Sequence, residues 1–132
     1  MIKAVIDTNV IISGFFWGGP PKSIVAKMGV DYTAFASPEI IDEYAAIFQR
    51  YGKKTGLDTE PFFLHVLQQV VTVLAVPLAQ QICEDPDDDM FIACAYACQA
   101  DYVVTGDKKL LAAGSKAGIN IVSPAVFLSM LK

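Results

Sequence analysis

A three-layer α/β/α sandwich around a parallel sheet of four or five strands is the fold class this sequence predicts. Three observations point there. Hydrophobic residues make up 54% of the chain and charged residues only 18%, which suits strands buried on both faces. The run IKAVI at residues 2–6 is unbroken and apolar, as such a strand should be. Single strands then alternate with helical segments of about ten residues, the pattern of right-handed βαβ crossovers. With no internal repeat and no long linker, residues 1–132 are expected to form a single domain.

The elements follow in order. Residues 3–6 form the first strand and end at Asp7. Asn9 is the expected N-cap of a short helix through Phe16. Trp17-Gly18-Gly19-Pro20-Pro21 is a turn, and its second proline suits the first turn of a helix through about Met28. A strand spans 32–36. Ser37-Pro38 then reads as N-cap and first helical residue, with Ile40, Ile41, Tyr44, Ile47 and Phe48 on one face. Residues 51–58 are expected to break that helix, and another follows over 59–70. The β-branched run 71–76 predicts a strand stopped by Pro77. The acidic run EDPDDD then opens a helix through about Gln99. A strand at 101–105, a helix at 108–117, a strand at 119–122 and a last helix after Ser123-Pro124 complete the chain.

Composition excludes several classes of function. A membrane span needs roughly 18 uninterrupted apolar residues, and the sequence has no such run. Asp7 and Asn9 interrupt the N-terminal apolar stretch that could otherwise pass for a signal peptide. The three cysteines, Cys83, Cys94 and Cys98, make no even disulfide framework. Cys94 and Cys98 lie four apart but have no His or CxxC nearby, so they read as buried thiols in a reducing cytoplasm. A net charge of −4 argues against a broad basic nucleic-acid surface. It does not exclude an enzyme whose acids hold metal ions, because the cations restore the positive charge.

In open parallel sheets, ligands gather beyond the carboxyl ends of the strands, and four acidic elements map there. Asp7 follows the first strand, and Asp107 follows YVVTG. Asp85, Asp87, Asp88 and Asp89 open a helix at the same edge. Glu43 lies about two turns into a helix on the margin of its apolar face. Each has a plain alternative: a cap for Asp7, a solvated helix position for Glu43, service to the helix dipole for the acidic run, a turn for Asp107. Together, converging carboxylates repel one another unless a cation sits among them. The donors are oxygens, with the Thr105 hydroxyl or Asn9 amide as possible additions, which favours Mg²⁺ or Mn²⁺ over zinc. A pair of such ions ~3.5–4 Å apart can drive in-line phosphodiester displacement without a covalent intermediate. His65 lies in the middle of a helix, away from every strand end, and reads as a surface or interface residue.

VIDTNVIIS, SPEIIDEY, DPDDDMFIACA and ADYVVTGDKKLL, in that order over roughly residues 2–122, resemble the PIN-domain nucleases. The branch most similar is the VapC-like toxin component of toxin–antitoxin systems. The resemblance implies a PIN-like, Rossmann-like sandwich and a Mg²⁺- or Mn²⁺-dependent ribonuclease acting on single-stranded RNA. It also implies a cytoplasmic homodimer held by a small antitoxin whose tail reaches the active site. It makes Asp7, Glu43, an acid of the 85–89 run and Asp107 the metal-binding acids, with Thr105 and Asn9 in support. Within the run, the family's DPxD pattern favours Asp85 and Asp88, and the spacing to Ile92-Ala93 in more distant relatives favours Asp89. Asp88 is therefore expected as the main ligand, Asp89 as a direct or water-bridged one, and Asp85 as the holder of the turn. Lys109 departs from the family, standing where many relatives carry an acid or Asn. Lys108 and Lys109, with Arg50, Lys53 and Lys54 near the end of the Glu43 helix, are candidate phosphate contacts.

Two rival readings remain open. One is a PIN-like module that grips RNA or an antitoxin without cutting. The other is a phosphotransfer or phosphatase domain using Asp7. Against the latter, Asn9 stands where a HAD-type phosphatase needs its second Asp, and the strand at 32–36 leads to Ser37 where a receiver domain needs Asp.

Overall fold

A computed structural model describes residues 1–131 of the chain. Five parallel strands form one sheet in the order β3-β2-β1-β4-β5. They are β1 (Lys3–Ile6), β2 (Thr33–Ala36), β3 (Val71–Thr72), β4 (Tyr102–Val104) and β5 (Ile121–Val122). Among the described residues, eight α-helices connect and flank them: α1 (Thr8–Phe16), α2 (Pro20–Lys27), α3 (Pro38–Thr55), α4 (Glu60–Gln69), α5 (Asp89–Cys98), α6 (Lys108–Leu111), α7 (Gly114–Ala117) and α8 (Pro124–Met130). Right-handed crossovers in this strand order put α1–α4 on one face and α5–α7 on the other. α8 returns to the first face against α2. The three-layer parallel sandwich expected from the sequence is the fold observed.

The central strand shows why. Ala4, Val5 and Ile6 are fully buried between β2 and β4, so every position of β1 beyond Lys3 must be apolar. α5 lies across β1, β2 and β4 with Phe91, Ile92, Cys94 and Ala95 buried. Burial pushes the Cys94 thiol up to about 12 and holds it protonated. Phe127 of α8 meets the rings of Tyr32 and Tyr102 edge-on and closes the opposite layer. Among the described residues, no helix is long and apolar enough to cross a membrane.

Four element boundaries differ from expectation. α1 begins at Thr8 with Asp7, not Asn9, in the N-cap position, because the chain passes from strand to helix without a loop. α3 runs past the expected break at 51 to Thr55 and stops at Gly56, whose φ of 77° closes the helix in the left-handed region. Gly52 is tolerated inside it because the turn into α4 packs there. A Cβ at that position would lie 3.0 Å from the Leu57 carbonyl oxygen and 3.1 Å from the Thr59 hydroxyl. β3 keeps only two of its six expected residues, since it has β2 on one side and nothing described on the other. The helix expected over 108–117 divides into α6 and α7.

Candidate active site

β1 and β4 are neighbours at the point where the strand order changes direction, and their carboxyl ends carry the centre of the site. Ile6 pairs with Val104, and the Asp7 amide donates to the Val104 carbonyl at 2.9 Å, so Asp7 is held by the sheet itself. Its side chain is buried and accepts a 2.6 Å hydrogen bond from the buried Thr105 hydroxyl. The Thr105 oxygen in turn accepts the Asp107 amide at 3.0 Å. Asp107 caps α6, its carboxylate accepting the Lys109 amide at 3.0 Å. Thr105 therefore ties the first acid to the turn bearing the last.

Glu43 arrives from α3. Ser37 caps that helix by accepting the Ile40 amide, and Pro38 sets its first turn. The Tyr44 hydroxyl, buried beside Glu43, donates to the Ile6 carbonyl and pins α3 to the end of β1. The Thr8 hydroxyl donates to Glu43 itself. Neither Thr8 nor Tyr44 is a site residue that the sequence reading singles out. For Thr8 a signal was there to find, a hydroxyl directly after the strand-end acid. Asn9, expected to support Asp7, has an exposed side chain, and it is its backbone amide that favours the charged Asp7 carboxylate.

The acidic run is sorted by one turn of 3₁₀ helix, Pro86–Asp88, which precedes α5. Asp85 accepts the Asp87 amide at 2.9 Å and holds this turn, while Glu84, Asp85 and Asp87 are exposed. Asp88 is partly buried, and its surroundings raise its pKa to about 6. Burial is the main cause, followed by the negative charges of Asp7, Asp85, Asp107 and Glu43. Asp89 turns elsewhere: its carboxylate accepts the Cys83 amide at 2.7 Å and the Ile82 amide at 3.3 Å. α5 begins between the two acids, and this separates their directions.

The electrostatics point to a convergence. Burial raises Asp7 above the ordinary carboxylate range, the Thr105 hydrogen bond opposes this, and Asp107 adds to it. Burial also raises Glu43, with Thr8 opposing and Asp7, Asp87 and Asp85 adding repulsion. Asp7, Glu43, Asp88 and Asp107, from four separate parts of the chain, thus share one electrostatic neighbourhood. Among the described residues the ion pairs are Lys27–Asp31 at 3.2 Å and Lys109–Glu84 at 3.6 Å, and neither reaches these acids. An all-oxygen, mutually repelling and uncompensated set fits a hard divalent cation. As they stand, no three carboxylate, imidazole or thiol groups among the described residues are close enough together to hold one.

The basic candidates scatter. Lys109 is engaged by Glu84, and Lys108 is exposed on α6. Arg50, Lys53 and Lys54 are exposed in the last turns of α3. Lys53 lines a pocket between α3 and α4 with Gln49, Leu57 and Phe63. His65 is exposed on α4 and edge-on to Phe15 at 6.0 Å, with the aromatic cluster and not with the acids.

Comparison with known proteins agrees with the fold. An uncharacterised protein of Methanocaldococcus jannaschii, MJ1680, is 31% identical over 115 residues, covering 83% of this chain and 74% of the relative. Among solved structures, PAE2754 of Pyrobaculum aerophilum superposes with a TM-score of 0.67 at 12% identity, covering 97% of this chain and 88% of its own. VapBC2 of Rickettsia felis, solved bound to a DNA fragment from its promoter, gives 0.64 at 12% identity, with 92% and 98% covered. A PilT N-terminus domain protein of Sulfolobus solfataricus, SSO1118, gives 0.61 at 15% identity, with 97% and 92% covered. The PIN domain itself is matched over residues 3–109, from the first strand through the Asp107 turn, and the chain belongs to the PIN-domain family.

Proposed function

We propose that this protein is a Mg²⁺- or Mn²⁺-dependent ribonuclease that hydrolyses phosphodiester bonds of single-stranded RNA. The observation that carries the reading is the gathering of Asp7, Glu43, Asp88 and Asp107 around one edge with no described cation to balance them. Asp7, Glu43 and Asp88 would hold the ion, with Asp107 as a direct or water-bridged ligand. When bound, such an ion acidifies a water molecule and neutralises charge on the phosphate. The chain's own contribution is rigidity. Thr105 orients the Asp7 carboxylate, Thr8 orients Glu43, and Asp89 braces the segment leading to Asp88 by holding the Ile82 and Cys83 amides. Asp89 is a positioning residue in this scheme, not a ligand.

The cellular role that accompanies this chemistry is the toxin of a toxin–antitoxin pair, acting in the cytoplasm as a homodimer with a small antitoxin. Membership of the PIN-domain family and the likeness in fold to the Rickettsia felis structure support it. Incubating purified protein with single-stranded RNA in Mg²⁺, Mn²⁺ or EDTA tests the activity. Cleavage should require the metal and be lost in Asp7→Asn and Asp88→Asn. RNA left intact in every buffer would sink the proposal.

One observation favours a second reading, a PIN-like module that binds without cutting: the acids are not drawn into a ready-made metal-holding group. Titration of Mn²⁺ followed by calorimetry separates the two. Heat that vanishes in Asp88→Asn supports the enzyme, and no binding at millimolar metal supports the module.

A further inference from the structure

Resting on the nuclease reading of the acidic edge, we infer that Trp17 and Tyr51 form a base-stacking shelf for single-stranded RNA, flanked by Arg50 and Lys54 as phosphate contacts. The geometry begins with how α1 and α3 lie together. Thr8 of α1 meets Glu43 of α3, and eight residues later on each helix Phe16 stacks on Tyr51, centroids 4.3 Å apart and 29° between planes. The two helices therefore run side by side from the acids to the aromatic end, a span of ~12 Å at ~1.5 Å per residue.

At that end the rings do not all go inward. Trp17 is 55% exposed and stands edge-on to Tyr51 at 5.5 Å. Phe15, Phe48 and Phe62 pack beneath, with Phe16 against both Phe48 and Phe62. A large ring is thus presented to solvent on a base held rigid by other rings. That is the arrangement on which nucleobases stack regardless of sequence.

Charge selects the occupant. Glu43, Ile47, Arg50 and Lys54 succeed one another at intervals of four, three and four, so they share one side of α3. The exposed Arg50 and Lys54 thereby continue Glu43's side of the helix toward Tyr51. Lys53 is turned about 100° away, into the α3–α4 pocket. In a chain of net charge −4, a cationic pair on the helix that carries Tyr51, on the side that leads back to the proposed cleavage site, complements a phosphate backbone. Three or four stacked nucleotides at ~3.4 Å each would span shelf to acids.

Trp17 is the only tryptophan in the sequence, so its fluorescence reports on the shelf alone. The protein is titrated with a ten-nucleotide single-stranded oligoadenylate in EDTA. Saturable quenching is expected; because the Trp17 variants lack the reporter, their affinity is read from the anisotropy of the same oligonucleotide carrying a 5′-fluorescein, falling roughly 5- to 100-fold in Trp17→Ala and largely restored in Trp17→Phe. The double variant Arg50→Gln/Lys54→Gln keeps the reporter and should lower the log–log salt slope by about 1.4, at ~0.7 per lost phosphate contact. Absence of quenching, or unchanged affinity in Trp17→Ala, overturns the shelf while metal-dependent cleavage would leave the nuclease reading standing. Quenching that tracks protein concentration without RNA also overturns it, assigning the face to a second copy of the chain. Quenching by RNA with no cleavage in any metal supports the shelf and rejects the nuclease.

Discussion

Replacing Asp88 by Asn should make the metal-free protein more stable while removing its activity. The side chain keeps its shape and loses its charge. In the native protein burial and four neighbouring acids lift the Asp88 pKa from an ordinary 3.8 to about 6. At neutral pH that rise corresponds to ~3 kcal/mol of unfavourable free energy if none of it were screened. Asp88 is only partly buried, and solvent screening reduces the figure to ~1 kcal/mol. For a domain of this size the gain is a rise in Tm of about 3–5 °C. The sign comes from proton linkage: the folded state holds the Asp88 proton more tightly than the unfolded chain does. The native state is therefore free of this penalty below pH ~4 and bears it progressively as pH rises through ~6. Urea denaturation in EDTA at pH 4.5, 6 and 7.5 should show wild type and variant close together at the lowest pH and separating as pH rises. Millimolar Mg²⁺ should then stabilise wild type more than the variant, because binding to the native state adds to its stability. An Asp88→Asn protein that is no more stable than wild type in EDTA at pH 7.5 would refute the reasoning.

Thr105→Val removes the donor to Asp7 and the acceptor of the Asp107 amide. A loss of ~1–3 kcal/mol in urea denaturation is expected, with Thr105→Ser close to wild type. Asp89→Ala frees the Ile82 and Cys83 amides. It should cost ~1–3 kcal/mol in EDTA, while Asp88→Asn gains stability; equal behaviour of the two variants would erase the distinction drawn between them. Gly14→Ala would set a Cβ 2.3 Å from Val25 Cγ2 and 2.6 Å from the Pro21 carbonyl oxygen, forcing α1 and α2 apart. Thermal melting should show a loss of ~1–3 kcal/mol.

The places of Asp7 and Thr105 at strand ends were legible because they depend on short-range facts. An unbroken apolar run must be a central strand, and the residue directly after it lies at the sheet's carboxyl edge. The sorting of Asp88 from Asp89 was not legible. Helical phase says only that the two differ by about 100°. Which of them faces the other acids depends on where residues 82 and 83 return, and that is a tertiary fact. A polar residue near a strand end suits a cap, which places Asn9 beside Asp7; yet the helix starts two residues earlier, with Asp7 as its cap, and leaves the Asn9 side chain at the surface. The strand expected over 71–76 is overextended for a related reason. Propensity marks Val and Thr as strand formers, but pairing needs a neighbour, and at this edge of the sheet only β2 provides one.

The Asp7 amide belongs to the β1–β4 ladder, and this governs how the molecule breathes. Opening that bond means parting the two innermost strands, so its hydrogen should exchange with solvent only as fast as the whole domain unfolds. Residues 84–87 are exposed and belong to no ladder, and the amides of Glu84, Asp85 and Asp87 should exchange orders of magnitude sooner. One half of the acidic edge is as permanent as the fold, and the other is joined to it through Asp89 and a single turn. On the proposed function, the loosening and reseating of that second half, rather than any motion of the sheet, would set how readily the ion and the RNA strand enter and leave.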